Sequence, residues 1–172
     1  MLLDLITKSF ANILTLMNLV FGSMAIILVQ HLHYSWAAIF ILFAVFMDGM
    51  DGKIARRFGA TSELGKELDS LCDLVSFGVA PAVLLYAQVF LESYHLPGLI
   101  AALFFIICGA LRLARFNVLN IHEYFLGIPI TLAGFLLAII SLLADNIYPM
   151  VILLLVVFLS LMMISNIKIR KI

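Results

Sequence analysis

Asp48-Gly49-Met50-Asp51-Gly52-Lys53-Ile54-Ala55-Arg56, continued by Gly65, Asp69 and Asp73, places four aspartates inside a chain that otherwise reads as membrane-spanning hydrocarbon. A carboxylate at the depth of a bilayer costs about 3 kcal/mol or more, so four of them demand a cation or a water-filled cavity. On a helix Asp48 and Asp51 stand at i and i+3, and Asp69 and Asp73 at i and i+4. Each pair therefore projects from one helical face. Two such helices side by side aim four oxygen-rich groups at one point, a donor set suited to a hard divalent cation.

Outside this string the chain has little polarity. Of 172 residues, 65% are hydrophobic, which defines an integral membrane protein with room for about six spans of roughly 20 residues. The net charge is zero, so bulk basicity gives no reason to expect nucleic acid as a partner. Cys72 and Cys108 fall in or near apolar runs without disulfide or zinc spacing, and read as small packing residues. The first apolar run follows Lys8 but lacks a small-x-small cleavage site, so it is expected to stay as a span rather than to be removed.

The apolar runs predict an all-α fold of six transmembrane helices forming one domain over residues 1–172. They run from about Ile13 to Val29, Tyr34 to Met50 and onward into the aspartates, Glu67 to Phe90, Gly98 to Phe116, Phe125 to Ala144, and Pro149 to Ile164. Leu91 to Pro97 reads as a break. In this arrangement all ten Lys and Arg residues fall on one side, in the groups Lys8; Lys53, Arg56, Arg57 and Lys66; Arg112 and Arg115; and Lys168, Arg170 and Lys171. Positive charge marks the cytoplasmic face, so both termini and the aspartates are expected there, at the cytoplasmic ends of the second and third spans. His31, His33 and His95 fall on the opposite side and read as interfacial residues.

The string resembles the signature of the CDP-alcohol phosphatidyltransferase family, Asp-Gly-x2-Ala-Arg-x8-Gly-x3-Asp-x3-Asp with a further Asp three residues earlier. All eight fixed positions are filled. The resemblance implies attack by an alcohol on the β-phosphate of a CDP-linked lipid with release of CMP, and it implies Asp73 as the general base. Asp48, Asp51 and Asp69 would supply metal oxygens, with Asp73 available to a second metal position. Spacing does not choose between Mg²⁺ and Mn²⁺. Gly52 lies one turn beyond Asp48, where a side chain would block the approach of a nucleotide, and Ala55 and Gly65 fit the same open pocket. Arg56, one turn further, can donate a bidentate pair of hydrogen bonds to phosphate. Thr61 and Ser62 in the connecting loop are candidates for hydrogen bonds to the nucleotide.

The acceptor alcohol has to be read elsewhere. Asn12 to Asn18, Ser76 to Pro81, Arg112-Leu113-Ala114-Arg115-Phe116-Asn117 and Gly127-Ile128-Pro129 together resemble the branch of the family that uses serine. That resemblance implies CDP-diacylglycerol and L-serine as substrates, a cell membrane as the setting, and a homodimer. Serine brings a carboxylate, and Arg112 and Arg115 stand at i and i+3 at the end of a span. One can bind that carboxylate while the other meets the lipid phosphate or an aspartate. Asn117 is a candidate for the serine ammonium or carboxylate, whereas Asn12 and Asn18 read as capping or cavity-lining residues. Acceptors carrying phosphate, such as glycerol 3-phosphate or an inositol compound, would call for additional basic residues near the fourth and fifth spans. A membrane cation carrier would explain the carboxylates but not Gly52, Ala55, Arg56 and Gly65.

Overall fold

Among the described residues, six helical rods make up the chain: α1 (Leu2–Gln30), α2 (Tyr34–Phe58), α3 (Glu63–Ser93), α4 (His95–Leu119), α5 (Ile130–Leu142) and α6 (Pro149–Ile164). This computed structural model describes residues 2–58, 63–119, 124–165 and 168–170, with side chains described over 12–50, 52–53, 63–118 and 127–165. Three helices carry apolar windows long enough to cross a membrane, at Asn12–Gln30, Glu63–Ser93 and His95–Val118. The apolar parts of the other three, Tyr34–Met50, Ile130–Leu142 and Pro149–Ile164, are shorter.

Helix α3 is the centre of the bundle. Of its apolar window 56% is buried, against 33% for α1 and 39% for α4. Close approach of its neighbours is achieved with small residues, as expected where apolar surroundings give helices no hydrophobic reason to associate. A Cβ on Gly22 of α1 would collide with Ser76 of α3, and one on Gly134 of α5 would lie 2.7 Å from the Phe77 carbonyl oxygen. Ala25, Ala37, Ala38 and Ala44 fill the core between α1, α2 and their neighbours and are fully buried. Phe77, Phe90 and Phe105 are the largest side chains sealed inside.

Two wide turns interrupt the regular winding of α3, at Leu74–Val79 and Tyr86–Phe90. The first has a local cause. Pro81 has no N–H to offer the Phe77 carbonyl, and its ring crowds that group. The wider π-type turn, closed by the Ala80 N–H on the Val75 carbonyl, absorbs the mismatch. It begins immediately after Asp73, so Asp69 and Asp73 sit on a regular segment, Glu63–Asp73, that precedes the irregular one.

The structure moves several of the expected boundaries. Helix α1 begins at Leu2, well before Ile13, and α3 at Glu63 instead of near Glu67. The break expected over Leu91 to Pro97 narrows to Tyr94 (φ −144°, ψ 58°), whose carbonyl accepts the Gly98 N–H at 2.7 Å and so starts α4 at once. Pro97 is tolerated because it falls in the first turn, where an N–H has no helical partner.

The expected fifth span, Phe125 to Ala144, is corrected most. Tyr124–Leu126 is a strand, β1, paired antiparallel with β2 (Lys168–Arg170) with Phe125 opposite Ile169. Gly127 then turns the chain at φ +69°, where a Cβ would meet the Met163 carbonyl oxygen at 2.5 Å. Pro129, extended at ψ 143°, fixes the start of α5 at Ile130.

Candidate active site

The aspartates on α2 and α3 converge. Carboxylate oxygens of Asp48, Asp69 and Asp73 all lie within 4.8 Å of one another. Oxygens around one divalent cation stand at about 2.0–2.6 Å from it, so two of them can be no more than about 4–5 Å apart. The spacing therefore fits a shared cation. The carboxyls of Asp48 and Asp73 are also in direct hydrogen-bonding contact. Two carboxylates so close repel each other, and a shared proton or a cation between them relieves that repulsion. Asp73 is the most enclosed of the three, with 7% of its surface exposed.

Three further helices reach this cluster. From α1, the Asn18 Nδ2 donates a hydrogen bond to Asp73 Oδ1 at 3.2 Å. Asn18 is fully buried, and its own backbone carbonyl accepts the Ser76 hydroxyl at 3.0 Å. This locks α1 to α3 one turn beyond Asp73. From α5, the Thr131 hydroxyl hydrogen-bonds the Asp48 carboxylate. From α4, Arg112 brings its positive charge close enough to act on Asp73, with its guanidinium 5.9 Å from the centre of the Phe116 ring. Two buried polar atoms beside the cluster, Asn18 Oδ1 and Arg112 Nε, have no hydrogen-bond partner among the described residues. Native interiors leave few such atoms unpaired, so these two mark a place where a ligand or water is needed.

The other residues singled out in the sequence fall into two groups. Gly52 lies on α2, one turn after Asp48, and a Cβ there would meet nothing within 4 Å among the described residues. No described neighbour dictates its lack of a side chain. Gly65 lies in the first turn of α3. The side chains of Asp51, Ala55 and Arg56, and the whole of Thr61 and Ser62, lie outside the described residues.

Arg115 and Asn117 are tied to the ends of neighbouring helices. Arg115 Nη1 donates to the Ile164 carbonyl at 3.1 Å and caps the C-terminus of α6. Asn117 is engaged at both ends of its amide. Its Nδ2 lies 3.1 Å from Ser70 Oγ and 3.4 Å from each Glu67 carboxylate oxygen, and its Oδ1 accepts the Ser70 hydroxyl at 3.3 Å. Lys66 Nζ donates to its backbone carbonyl at 3.3 Å. These bonds clamp the end of α4 to the start of α3.

Comparison with known proteins gives this cluster its setting. Residues 8–163 match the family model described as CDP-alcohol phosphatidyltransferase. The chain belongs to this family. A CDP-diacylglycerol–serine O-phosphatidyltransferase of Methanocaldococcus jannaschii is 41% identical over 168 residues, covering 95% of this chain and 74% of the relative. One from Bacillus subtilis is 41% identical over 131 residues, 74% of this chain and 72% of the relative. One from Helicobacter pylori is 35% identical over 169 residues, 92% of this chain and 70% of the relative. Within the family's string, the residues brought together are Asp48, Asp69 and Asp73. Thr131 was not anticipated from sequence, because a threonine in an apolar run carries no motif. Asn18, read there as lining or capping, is a direct partner of Asp73.

Proposed function

We propose that this chain transfers a phosphatidyl group from CDP-diacylglycerol to the hydroxyl of L-serine, giving phosphatidylserine and CMP. The observation that carries this reading is the convergence of three family-string carboxylates within 4.8 Å around the buried Asp73. The names of relatives that align with most of the chain support serine as acceptor.

Asp48, Asp69 and Asp73, with Asp51 from the same string, would hold a divalent cation, Mg²⁺ or Mn²⁺. Such a cation neutralises a diphosphate and stabilises charge on the departing phosphate. The chain's own groups do the rest. Asp73 accepts the proton of the serine hydroxyl as the hydroxyl oxygen bonds to the β-phosphorus, and the bond from that phosphorus to the bridging oxygen breaks to release CMP. Asn18 donates to Asp73 Oδ1 and so orients the carboxyl that takes the proton. Arg112, with a partnerless buried Nε beside Asp73, binds the serine carboxylate or the lipid phosphate. Gly52, with open space above it, admits the nucleotide together with Ala55, Arg56, Thr61, Ser62 and Gly65. Arg115 and Asn117 brace the arm that carries Arg112.

In this reading all six helices cross a cell membrane with both termini and the site facing the cytoplasm, as the one-sided distribution of Lys and Arg supports. Helix α5, with 13 residues, extends only about 20 Å against a hydrocarbon core of about 30 Å. It can begin at depth because the extended stretch before it packs on α6 carbonyls, and irregular backbone is allowed within a membrane where protein covers it. The family resemblance also supports a homodimer.

The test is CMP release by purified protein given CDP-diacylglycerol and a divalent cation, comparing L-serine, glycerol 3-phosphate and inositol. Serine-dependent release is expected. Release with another acceptor would keep the reaction and overturn the serine assignment, and no release alongside cation transport would favour a carrier.

A further inference from the structure

Asn117, which the sequence offered as a ligand for the amino acid acceptor, has its amide nitrogen engaged by Ser70 and Glu67. Among the described residues, the buried amide oxygen without a hydrogen-bond partner belongs to Asn18. We infer that Asn18 is the residue that selects an amino acid as acceptor, by receiving its ammonium group on Oδ1 while Nδ2 holds Asp73. The inference rests on the proposed transfer to serine and adds to it the group that recognises the amine.

Three observations carry it. Asn18 is fully buried, so an acceptor oxygen without a partner is costly there and is expected to be filled by a donor. Its amide is not free to drift: Nδ2 is fixed on Asp73 Oδ1 at 3.2 Å, and its backbone carbonyl is fixed by Ser76 at 3.0 Å. Finally, Asn18 Nδ2 is bound to the carboxyl of Asp73, which places Oδ1 of the same amide beside the proposed base. An acceptor that gives its hydroxyl proton to Asp73 and carries an amino group on the adjacent carbon can present that amine to Asn18 Oδ1. Arg112, whose positive charge also acts on Asp73, offers the partnerless Nε donor that a carboxylate requires. An acceptor oxygen and a donor nitrogen, both buried, both unpaired and both grouped around one carboxylate, are complementary to a zwitterion bearing a hydroxyl. A polyol or a phosphorylated alcohol has no ammonium to give to Oδ1.

The experiment compares L-serine with 3-hydroxypropionate, which is serine without its amino group, in wild-type protein, Asn18→Leu and Asn18→Asp. CMP release from CDP-diacylglycerol is followed in each, and the readout is the ratio of kcat/KM for the two acceptors. General damage to the site lowers both values and leaves the ratio alone. Wild type should prefer serine by at least about 100-fold, as a site built to pair a polar group discriminates against an analogue lacking it. Asn18→Leu should shrink the ratio at least tenfold. Asn18→Asp should keep the preference for serine, because it retains an oxygen for the ammonium, while lowering kcat through loss of the N–H on Asp73. An unchanged ratio in Asn18→Leu overturns the inference, as does loss of the preference in Asn18→Asp. If either variant shows no turnover, L-serine and 3-hydroxypropionate are compared as ligands of the CDP-diacylglycerol-bound protein by calorimetry, with the same expectations. Absence of serine-dependent CMP release in wild type would instead defeat the reaction on which the inference stands.

Discussion

Two of the polar contacts that helix α3 makes with its neighbours, one near each end, differ in one respect. Near its far end Gln88 meets Ser141 of α5. Gln88 Nε2 donates to the Ser141 carbonyl at 3.1 Å, and the Ser141 hydroxyl returns a bond to Gln88 Oε1. Each side-chain group has its partner, and the pair is complete within the protein. Near the start of the helix, Asp73 gathers Asn18, Asp48 and Arg112, yet Asn18 Oδ1 and Arg112 Nε have no partner among the described residues and carboxylates crowd together. A closed pair holds helices together, whereas an open cluster holds a place for something else. Wide turns of α3 accompany both, so backbone irregularity alone does not separate the two roles.

Substitutions at the open cluster should change chemistry, and those at the closed pair only stability. The largest effect is expected from Asp69→Asn, which removes one of the converging carboxylates. The cation concentration needed for half-maximal CMP release should rise more than about 100-fold, since even indirect supporters of a metal site are worth about 10–100-fold. A titration with Mn²⁺ that matches wild type would remove Asp69 from the site. Next comes Arg112→Ala. Loss of a charge-assisted hydrogen bond of about 1.5–3 kcal/mol should raise the KM for serine or for CDP-diacylglycerol by about 10–150-fold. Values unchanged for both substrates would leave Arg112 as a mere anchor.

Gly52→Leu should weaken CDP-diacylglycerol binding, measured by calorimetry, by at least about tenfold through overfilling a site that packing leaves open. Normal affinity would mean that the space above Gly52 serves no ligand. The smallest effect belongs to the closed pair. Gln88→Leu should leave kcat and KM within about twofold of wild type and lower stability by about 1 kcal/mol, the usual scale of a hydrogen bond between membrane helices. A variant with normal stability and lost activity would blur the distinction between the two places.

The sequence made the rods and the aspartates legible, but not how distant groups meet. The spacing Asp48-x2-Asp51 and Asp69-x3-Asp73 is local, so helical periodicity alone put each pair on one face, and α2 and α3 do bring Asp48, Asp69 and Asp73 together. Asn18 and Asp73 are 55 residues apart, and their bond depends on how closely Gly22 lets α1 approach Ser76. A lone asparagine in the apolar run Ile13 to Val29 was the available signal, because a polar group at membrane depth calls for a partner. Thr131 gave none. The start of α5 was misplaced because hydrophobicity carries across Phe125 and Leu126, whereas Gly127 and Pro129 mark the turn that ends the ribbon and opens the helix. The pairing of that ribbon with Lys168–Arg170 joins distant segments too short to show a strand period.

The most direct test sets Asp73→Asn beside Gln88→Leu in the same preparation, with serine-dependent CMP release and CDP-diacylglycerol affinity measured at saturating cation. Asp73→Asn should lose about 10²–10⁴-fold in turnover, the usual contribution of a positioned general base, while its affinity for the lipid nucleotide stays close to wild type. Gln88→Leu should keep both. If Asp73→Asn still turns over normally, or if it loses binding and turnover in equal measure, the open cluster is not the catalytic base assembly described here.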